Sequence, residues 1–112
     1  IIDTEIRFPE ISAGFHNILL QMEPFGPENM RPLFIAKNVT DSGYSKILKE
    51  KHVRFSVKQD NTTLNGIGFN LSHKFNLLKE GKPVDIVFAI DENEWNGSTS
   101  LQLQVYDLKL SE

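Results

Sequence analysis

The chain has 112 residues, of which 39% are hydrophobic and 24% charged, a balance typical of one globular domain and not of a disordered chain. The absence of cysteine excludes disulfides and thiolate zinc sites, and a net charge of -3 argues against tight autonomous binding to nucleic acid, which depends on neutralised phosphates. There is neither an apolar run of membrane-spanning length nor a signal-peptide pattern, so we expect a cytoplasmic protein with no membrane contact.

The N-terminal third predicts a strand and a helix followed by a stiff joint. Residues 1–8 alternate in the manner of a short strand, and Pro9 suits the first turn of a helix, where its missing N–H costs nothing. An apolar stripe at helical spacing follows, formed by Ile11, Phe15, Ile18, Leu19 and Met22. Pro24 and Pro27 end the helix and belong to the joint, residues 23–32.

The middle of the chain predicts three strands. The first covers residues 33–40. In the second, residues 52–59, apolar side chains alternate with polar ones, which is the period-two pattern of a half-buried strand. After a turn at Asp60 and Asn61, residues 62–70 form the third strand as its hairpin partner.

The last third predicts a helix and two strands. The helix, residues 71–80, ends at Gly81, and Pro83 cannot continue it. Two strands follow, residues 84–92 and 99–110, joined by a polar loop.

The order of these elements from residue 33 onward is β-β-β-α-β-β, the order of an OB-fold, which is a small Greek-key barrel. The pattern leaves other α+β meanders open, but closure of a barrel removes the edges that such short strands would otherwise expose. We therefore predict a mainly β protein: a five-stranded OB-fold barrel with one helix between strands three and four, preceded by a short strand-helix segment.

A basic surface is predicted on the second strand, within the face on which OB-folds usually hold single-stranded nucleic acid. Residues 37–58 carry six basic and two acidic side chains, whereas residues 80–94 carry one basic and five acidic side chains. Gly66 and Gly68 share one face of the third strand, opposite Ile67 and Phe69, and would leave room for a base or backbone to approach. The alternative is an ordinary solvated strand face. The candidate contacts are Lys37, His52, Arg54, Lys58, Gly66 and Gly68.

Trp95 is a further candidate contact. It lies in the predicted polar loop between the last two strands, where an aromatic side chain can stack against bases. Its neighbours Asp91, Glu92 and Glu94 would repel phosphates. The alternative is therefore that Trp95 folds back onto the barrel or faces another domain.

The sequence offers no catalytic or metal-binding cluster. Its histidines, His16, His52 and His73, are separated from one another and from paired carboxylates, as expected for surface or helix residues. Residues 91–97 offer oxygen ligands, but Trp95 stands where a calcium loop needs a ligand and the glycine comes one place late. We expect this chain to hydrolyse nothing and to hold no metal or other cofactor.

The joint resembles the segment that precedes the OB domain in RecJ, a bacterial family of single-strand-specific DNA exonucleases in the DHH phosphoesterase superfamily. That segment typically reads Leu-Glu-Pro-Phe-Gly-x-Gly-Asn-x-x-Pro-x-Phe. Glu28 stands where the family usually has glycine, and residues 63–70 and 91–110 also resemble the family's strand and terminal hairpin. The matching joint residues are Glu23, Pro24, Phe25, Gly26, Asn29, Pro32 and Phe34.

The resemblance implies a division of the chain. Residues 1–22 would be a strand-helix connector at the tail of the preceding DHHA1 region, residues 23–32 a Pro/Gly joint, and residues 33–112 the OB-fold domain. The joint would fix the angle at which the barrel meets the nuclease. Its prolines restrict the chain before folding and so would reduce the entropy lost on docking. For Phe25 the alternative is that it plugs the end of the barrel. The interdomain joint residues are Pro24, Phe25, Gly26 and Asn29.

The resemblance also implies a function. The chain, which begins at Ile1 and is expected to be a fragment, would be an accessory domain that binds single-stranded DNA. It would guide the strand to the DHH and DHHA1 domains of a 5′-to-3′ exonuclease in DNA repair and recombination. The parent would use Mn or Mg. The alternative is a bracing or protein-interaction module of the same nuclease that recruits a partner such as single-strand-binding protein; a freestanding enzyme is disfavoured.

Overall fold

The computed structural model describes residues 4–11, 33–95 and 97–111, without the side chains of residues 4, 92–95 and 98–100. Residues 8–11 are helical, and a 3₁₀ turn (Ser72–Lys74) leads into a short α-helix (Phe75–Lys79). None of the helices in these ranges could span a membrane. The strands are β1 (Thr4–Glu5), β2 (Phe34–Asp41), β3 (Lys46–Leu48), β4 (His52–Gln59), β5 (Thr62–Gly68), β6 (Val84–Trp95) and β7 (Ser98–Leu110).

Five of these strands close into a barrel. The sheet order is β1-β2-β6-β7-β5-β4-β3, and a further pairing between β2 and β4 closes the ring. β5 and β7 run parallel, whereas the other pairs within the ring are antiparallel. Together, β2 and β3 correspond to the first strand of the predicted barrel, which residues 42–45 divide in two. The predicted OB-fold is confirmed, with its helix between the third and fourth strands.

The connections differ in length from those predicted. The turn at Asp60 and Asn61 is confirmed, and both residues have positive φ, 50° and 67°, as a tight type I′ hairpin turn requires. The hairpin of β6 and β7 is longer than predicted, because Trp95 is paired with Ser98. The predicted polar loop therefore shrinks to two residues, in which Gly97 has φ 81°.

The barrel interior is one hydrophobic core built by strand alternation. Phenylalanine rings meet inside it: the Phe88 ring lies 5.9 Å from that of Phe34 and contacts Phe8 edge-on at 6.3 Å, measured between centroids. Such pairs contribute about 0.5–1.5 kcal/mol beyond the burial of their area. The predicted apolar face of β4 is completely buried, namely Val53, Phe55 and Val57.

The N-terminal segment, residues 4–11, packs into this same core. β1 runs parallel to β2, and the Ile6 N–H continues the pairing by donating to the Ile35 carbonyl at 2.9 Å. Ile6, Phe8 and Ile11 are each no more than 3% exposed. The physical unit therefore includes residues N-terminal to position 33. The division at residues 22 and 32 remains a prediction, and the joint residues Pro24, Phe25, Gly26 and Asn29 lie outside the described part of the chain.

Gln59 ties the N-terminal segment to the barrel. Its side-chain oxygen accepts from the Phe8 N–H at 2.6 Å, and its side-chain nitrogen donates to the Lys37 carbonyl at 2.6 Å. Arg7 and Asp60 form an ion pair beside it. At 5% exposure, Gln59 is one of the few buried polar residues, so both hydrogen bonds are made away from water.

Replacing Gln59 with leucine removes both hydrogen bonds while keeping the size of the side chain. We expect the free energy of unfolding, measured by urea denaturation, to fall by about 1–3 kcal/mol, because two buried backbone groups lose their partner. Asn65→Leu makes a similar change at an exposed position of β5 and should cost less than about 0.5 kcal/mol. Equal effects of the two substitutions would contradict this role.

Candidate nucleic-acid interface

The outer face of β3 and β4 presents three cations. Lys46 lies directly opposite Arg54 across the β3–β4 pair. Lys58, four residues further along β4, lies between Thr40 on β2 and Thr63 on β5. The side chains of the three cations, which we call the cationic face, are exposed. The prediction that Arg54 and Lys58 point away from the core is confirmed.

The cationic face is not neutralised by neighbouring carboxylates. Within the described ranges, no ion pair involves Lys46, Arg54 or Lys58. Lysines elsewhere on the barrel behave differently, since Lys79 lies 3.5 Å from Asp41 and Lys74 pairs with Asp107. The positive potential of the outer face is therefore available to an anion from outside.

His52 lies on the same outer face, at the start of β4. Its Nδ1 accepts the Asn70 N–H at 3.0 Å, which assigns the proton of the neutral ring to Nε2. The ring also meets the Phe69 ring edge-on, at 5.2 Å between centroids and an interplanar angle of 78°. The hydrogen bond and the ring contact together fix the orientation of an otherwise half-exposed imidazole.

Tyr106, which lies at a β-bulge in β7, brings another ring to this surface. Phe88 pairs with Val105 and Val87 pairs with Asp107, so Tyr106 is the extra residue, without a partner on β6. Its side chain is 48% exposed and that of Phe69 is 53% exposed. We call His52, Phe69 and Tyr106 the aromatic row.

The structure corrects the prediction for Gly66 and Gly68. Gly66 lies opposite Phe55 and Gly68 opposite Val53, so both glycines lie on the core face of β5. A Cβ on Gly66 would stand 2.8 Å from the Leu103 carbonyl oxygen. The glycines permit a close approach of β7 inside the barrel and do not face the outer surface, so the prediction that they leave room there for a base or backbone is wrong.

Lys37 is not brought together with the cationic face. Its ammonium group lies 3.7 Å from the Glu5 carboxylate, and its side chain lines a cavity of about 280 Å³ with Asp85, Lys109 and Ser111. This cavity opens beside β2, β6 and β7. A contact of Lys37 with nucleic acid remains a prediction.

The other predicted residues are placed as follows. Trp95 ends β6 at the tip of the hairpin, but its side chain is not among those described. His73 is exposed in the 3₁₀ turn, and His16 lies outside the described ranges. Among the described residues, no group of three His, Asp or Glu side chains could hold a metal ion.

Phe69 was missed because the two faces of the third strand were assigned the wrong way round. A two-residue turn at Asp60 pairs Gln59 with Thr62, and counting back from it places Gly66 opposite Phe55. That register was available from the sequence. Tyr106 alternates with the buried Leu103 and Val105 and could likewise have been predicted as an exposed ring.

Asp107 lies next to Tyr106 and is an acid whose pKa the surroundings change. The hydrogen bond from Lys74 is the main reason why the pKa of Asp107 lies below its usual value, and the Leu108 N–H, donating at 2.8 Å, acts in the same direction. The positive charges of Lys74 and His73 add to this, while partial burial opposes it. Asp107 thus stays ionised and bound to Lys74.

The closed ring, its parallel β5–β7 contact and its exposed outer face define an OB-fold domain. The chain belongs to the RecJ OB domain family, whose model matches residues 2–107. The single-stranded-DNA-specific exonuclease RecJ of Bacillus subtilis (strain 168) is 29% identical over 92 residues, 81% of this chain and 12% of that protein. The chain thus spans about an eighth of the length of the curated relative.

Two solved structures share the fold. RecJ from Thermus thermophilus, in complex with Mn²⁺, matches with a TM-score of 0.61 and 23% identity over 99% of this chain and 16% of that one. Rim1, a mitochondrial single-stranded DNA binding protein from S. cerevisiae, matches with a TM-score of 0.52 and 19% identity over 72% of this chain and 95% of that one. At these identities the likeness shows the fold alone.

Replacing Gly66 with alanine should destabilise the barrel. The added Cβ would meet Leu103 Cβ at 2.9 Å as well as the backbone of the same residue, so β5 and β7 must separate. We expect the free energy of unfolding in urea to fall by about 1–3 kcal/mol. Asn65→Ala, one residue away on the exposed face, is the control. An unchanged stability of Gly66→Ala would show that the close approach is not required.

Replacing Lys74 with methionine should raise the pKa of Asp107 toward its ordinary value of 3.8. Because the folded pKa lies below the unfolded one, the stabilisation from this carboxylate is present above about pH 4 and is lost as the pH falls through the folded pKa. An NMR titration of the Asp107 carboxyl in both proteins measures the change. An identical pKa in the variant would refute the assigned cause.

Proposed function

We propose that this chain is the single-stranded-DNA-binding accessory domain of a RecJ-like 5′-to-3′ exonuclease that acts in DNA repair and recombination. The observation that carries the proposal is the cationic face: three exposed cations, two of them directly opposite one another, with no ion pair to any described carboxylate. The domain guides the strand toward catalytic domains elsewhere in a cytoplasmic parent, and those domains use Mn or Mg.

The pairing of Lys46 with Arg54 supports a binding role. Like charges directly opposite one another on neighbouring strands reduce stability. Proteins tolerate such local conflicts mainly at functional sites, where a ligand resolves them. A phosphate group placed between the two cations would convert their repulsion into two attractive contacts.

The proposed binding is weak and does not read sequence. Few cations are available, and phosphate contacts position a strand without distinguishing its bases. Supporting points are that the B. subtilis relative is named as specific for single-stranded DNA and that Rim1 is a single-stranded DNA binding protein. The Mn or Mg in the proposal follows the T. thermophilus RecJ structures, which were solved with Mn²⁺ and with Mg²⁺.

The second candidate is a bracing or protein-interaction module of the same nuclease, with single-strand-binding protein as its partner. The observation that favours it is the burial of Ile6, Phe8 and Ile11 in the barrel core. The chain that enters the barrel is thereby held rigidly, as a brace between domains would require. Under this alternative the cationic face has no role in binding DNA.

Reversing the charges of Arg54 and Lys58 to glutamate separates the two functions. We expect the double variant to bind a fluorescent single-stranded oligonucleotide at least roughly tenfold more weakly at low salt, and the dependence of log affinity on log salt to flatten by about one unit for each phosphate contact removed. Fluorescence anisotropy over a series of salt concentrations gives both quantities.

The matched control reverses Lys82 and Lys109, two exposed lysines outside the cationic face, and so changes the net charge by the same amount. It should bind nearly as the original chain does. Equal losses in both double variants would mean that only net charge matters. Absence of binding by the original chain at low salt would reject DNA binding by this domain and leave the bracing function.

A further inference from the structure

We propose that the aromatic row, His52, Phe69 and Tyr106, is the platform on which the unpaired bases of the bound strand stack. This inference rests on the proposed function and adds to it the place and the means by which the domain selects single strands. The strand would run across β4, β5 and β7, with its bases on the aromatic row and its phosphates toward Lys46 and Arg54.

Strand register brings the three residues of the row to one end of the outer face. Ile67 on β5 is paired with Gln104 on the parallel strand β7, and Phe69 and Tyr106 each lie two residues further along. The backbones of β5 and β7 are still close at Gly68, because a Cβ on this residue would lie 3.3 Å from the Val105 carbonyl oxygen. The backbone at Phe69, one residue past the end of β5, therefore lies near the backbone at Tyr106.

The row is adjacent to the cations. Lys46, Arg54, Ile67 and Gln104 form one line across the outer face, through the pairings of β3 with β4, β4 with β5 and β5 with β7. The aromatic row is the next line, two residues away along each strand, or about 7 Å. A nucleotide can thus place its base on one line and its phosphate on the other.

Two features prepare the rings for this role. Tyr106 faces outward by strand alternation and is the bulged residue of β7, and bulges occur often beside functional sites. The hydrogen bond from Asn70 and the contact with Phe69 hold the His52 ring in a fixed position. Rings that are ordered before binding lose little conformational freedom when a base stacks on them.

Stacking would let the domain distinguish single-stranded from duplex DNA without distinguishing base sequences. Every base has a π-face, so aromatic platforms accept bases of any kind. In a duplex, both faces of each base are covered by neighbours, and a row lying flat on a sheet cannot reach them. The cationic face alone would bind duplex phosphates as well, so the aromatic row supplies the discrimination.

The test compares two probes of equal length: oligothymidylate and an abasic oligonucleotide that has the same phosphates without bases. We expect the 112-residue chain to bind oligothymidylate more tightly. The variant Phe69→Leu/Tyr106→Leu should lose affinity for oligothymidylate by roughly tenfold or more and keep its affinity for the abasic probe. Leucine keeps apolar bulk, and thermal unfolding verifies that the variant is folded.

Two controls make the outcome specific. Tyr44→Leu removes the ring of a residue that is 79% exposed in the loop between β2 and β3, and it should leave both affinities unchanged. The Arg54→Glu/Lys58→Glu variant should weaken binding to both probes alike.

Each contrary result has a distinct meaning. If the original chain binds both probes equally, or if Tyr44→Leu produces the same loss as the double leucine variant, the aromatic row is not the platform, while the proposed function stands. If the original chain binds neither probe at low salt, the proposed function itself fails, and this inference fails with it.

Discussion

The architecture depends on one close contact, the approach of β5 to β7 at Gly66 and Leu103. These strands run parallel and are paired through only two residue pairs, Gly66 with Leu103 and Ile67 with Gln104. Any side chain at Gly66 would stand between them, so the ring closes because this position has none. Closure removes the edges that β5 and β7 would otherwise expose. It also sets Ile67 beside Gln104 on the outer face, so a packing constraint inside the barrel determines which outward residues of β5 and β7 lie near one another.

The barrel is completed from its N-terminal side by residues distant in sequence. Phe8 packs edge-on against Phe88, and Gln59 joins the Phe8 N–H to the Lys37 carbonyl. The segment that enters the barrel is therefore fixed by hydrophobic burial and by satisfied hydrogen bonds, as buried polar groups require. A domain attached this way has a defined direction of entry, which is useful whether it guides a strand or braces a neighbour.

Much of the fold could be predicted from the sequence, because local patterns decide it. The alternation of Val53, Phe55 and Val57 sets the inner face of β4, and Asp60 with Asn61 sets the hairpin turn. What local patterns do not give is which strands meet across the barrel. The role of Gly66 depends on β7, which is far away in sequence, and a glycine that admits a strand has the same local signal as one that admits a ligand. The candidate site shows the same division. The outward position of Arg54 follows from alternation alone, whereas its pairing with Lys46 depends on the β3–β4 register. The bulge at Tyr106 likewise depends on the β6–β7 register.

The layout would reconcile a net charge of -3 with the proposed role in binding DNA. Affinity that comes only from phosphate contacts falls steeply with salt, and three cations would supply little of it at physiological ionic strength. Stacking against rings is a short-range contact that salt screens much less. A surface with few cations beside a row of rings would therefore keep part of the proposed affinity when the ionic contribution is screened. A weakly charged domain of this kind would hold a strand loosely enough to let it move forward, as the proposed role of feeding a nuclease would require.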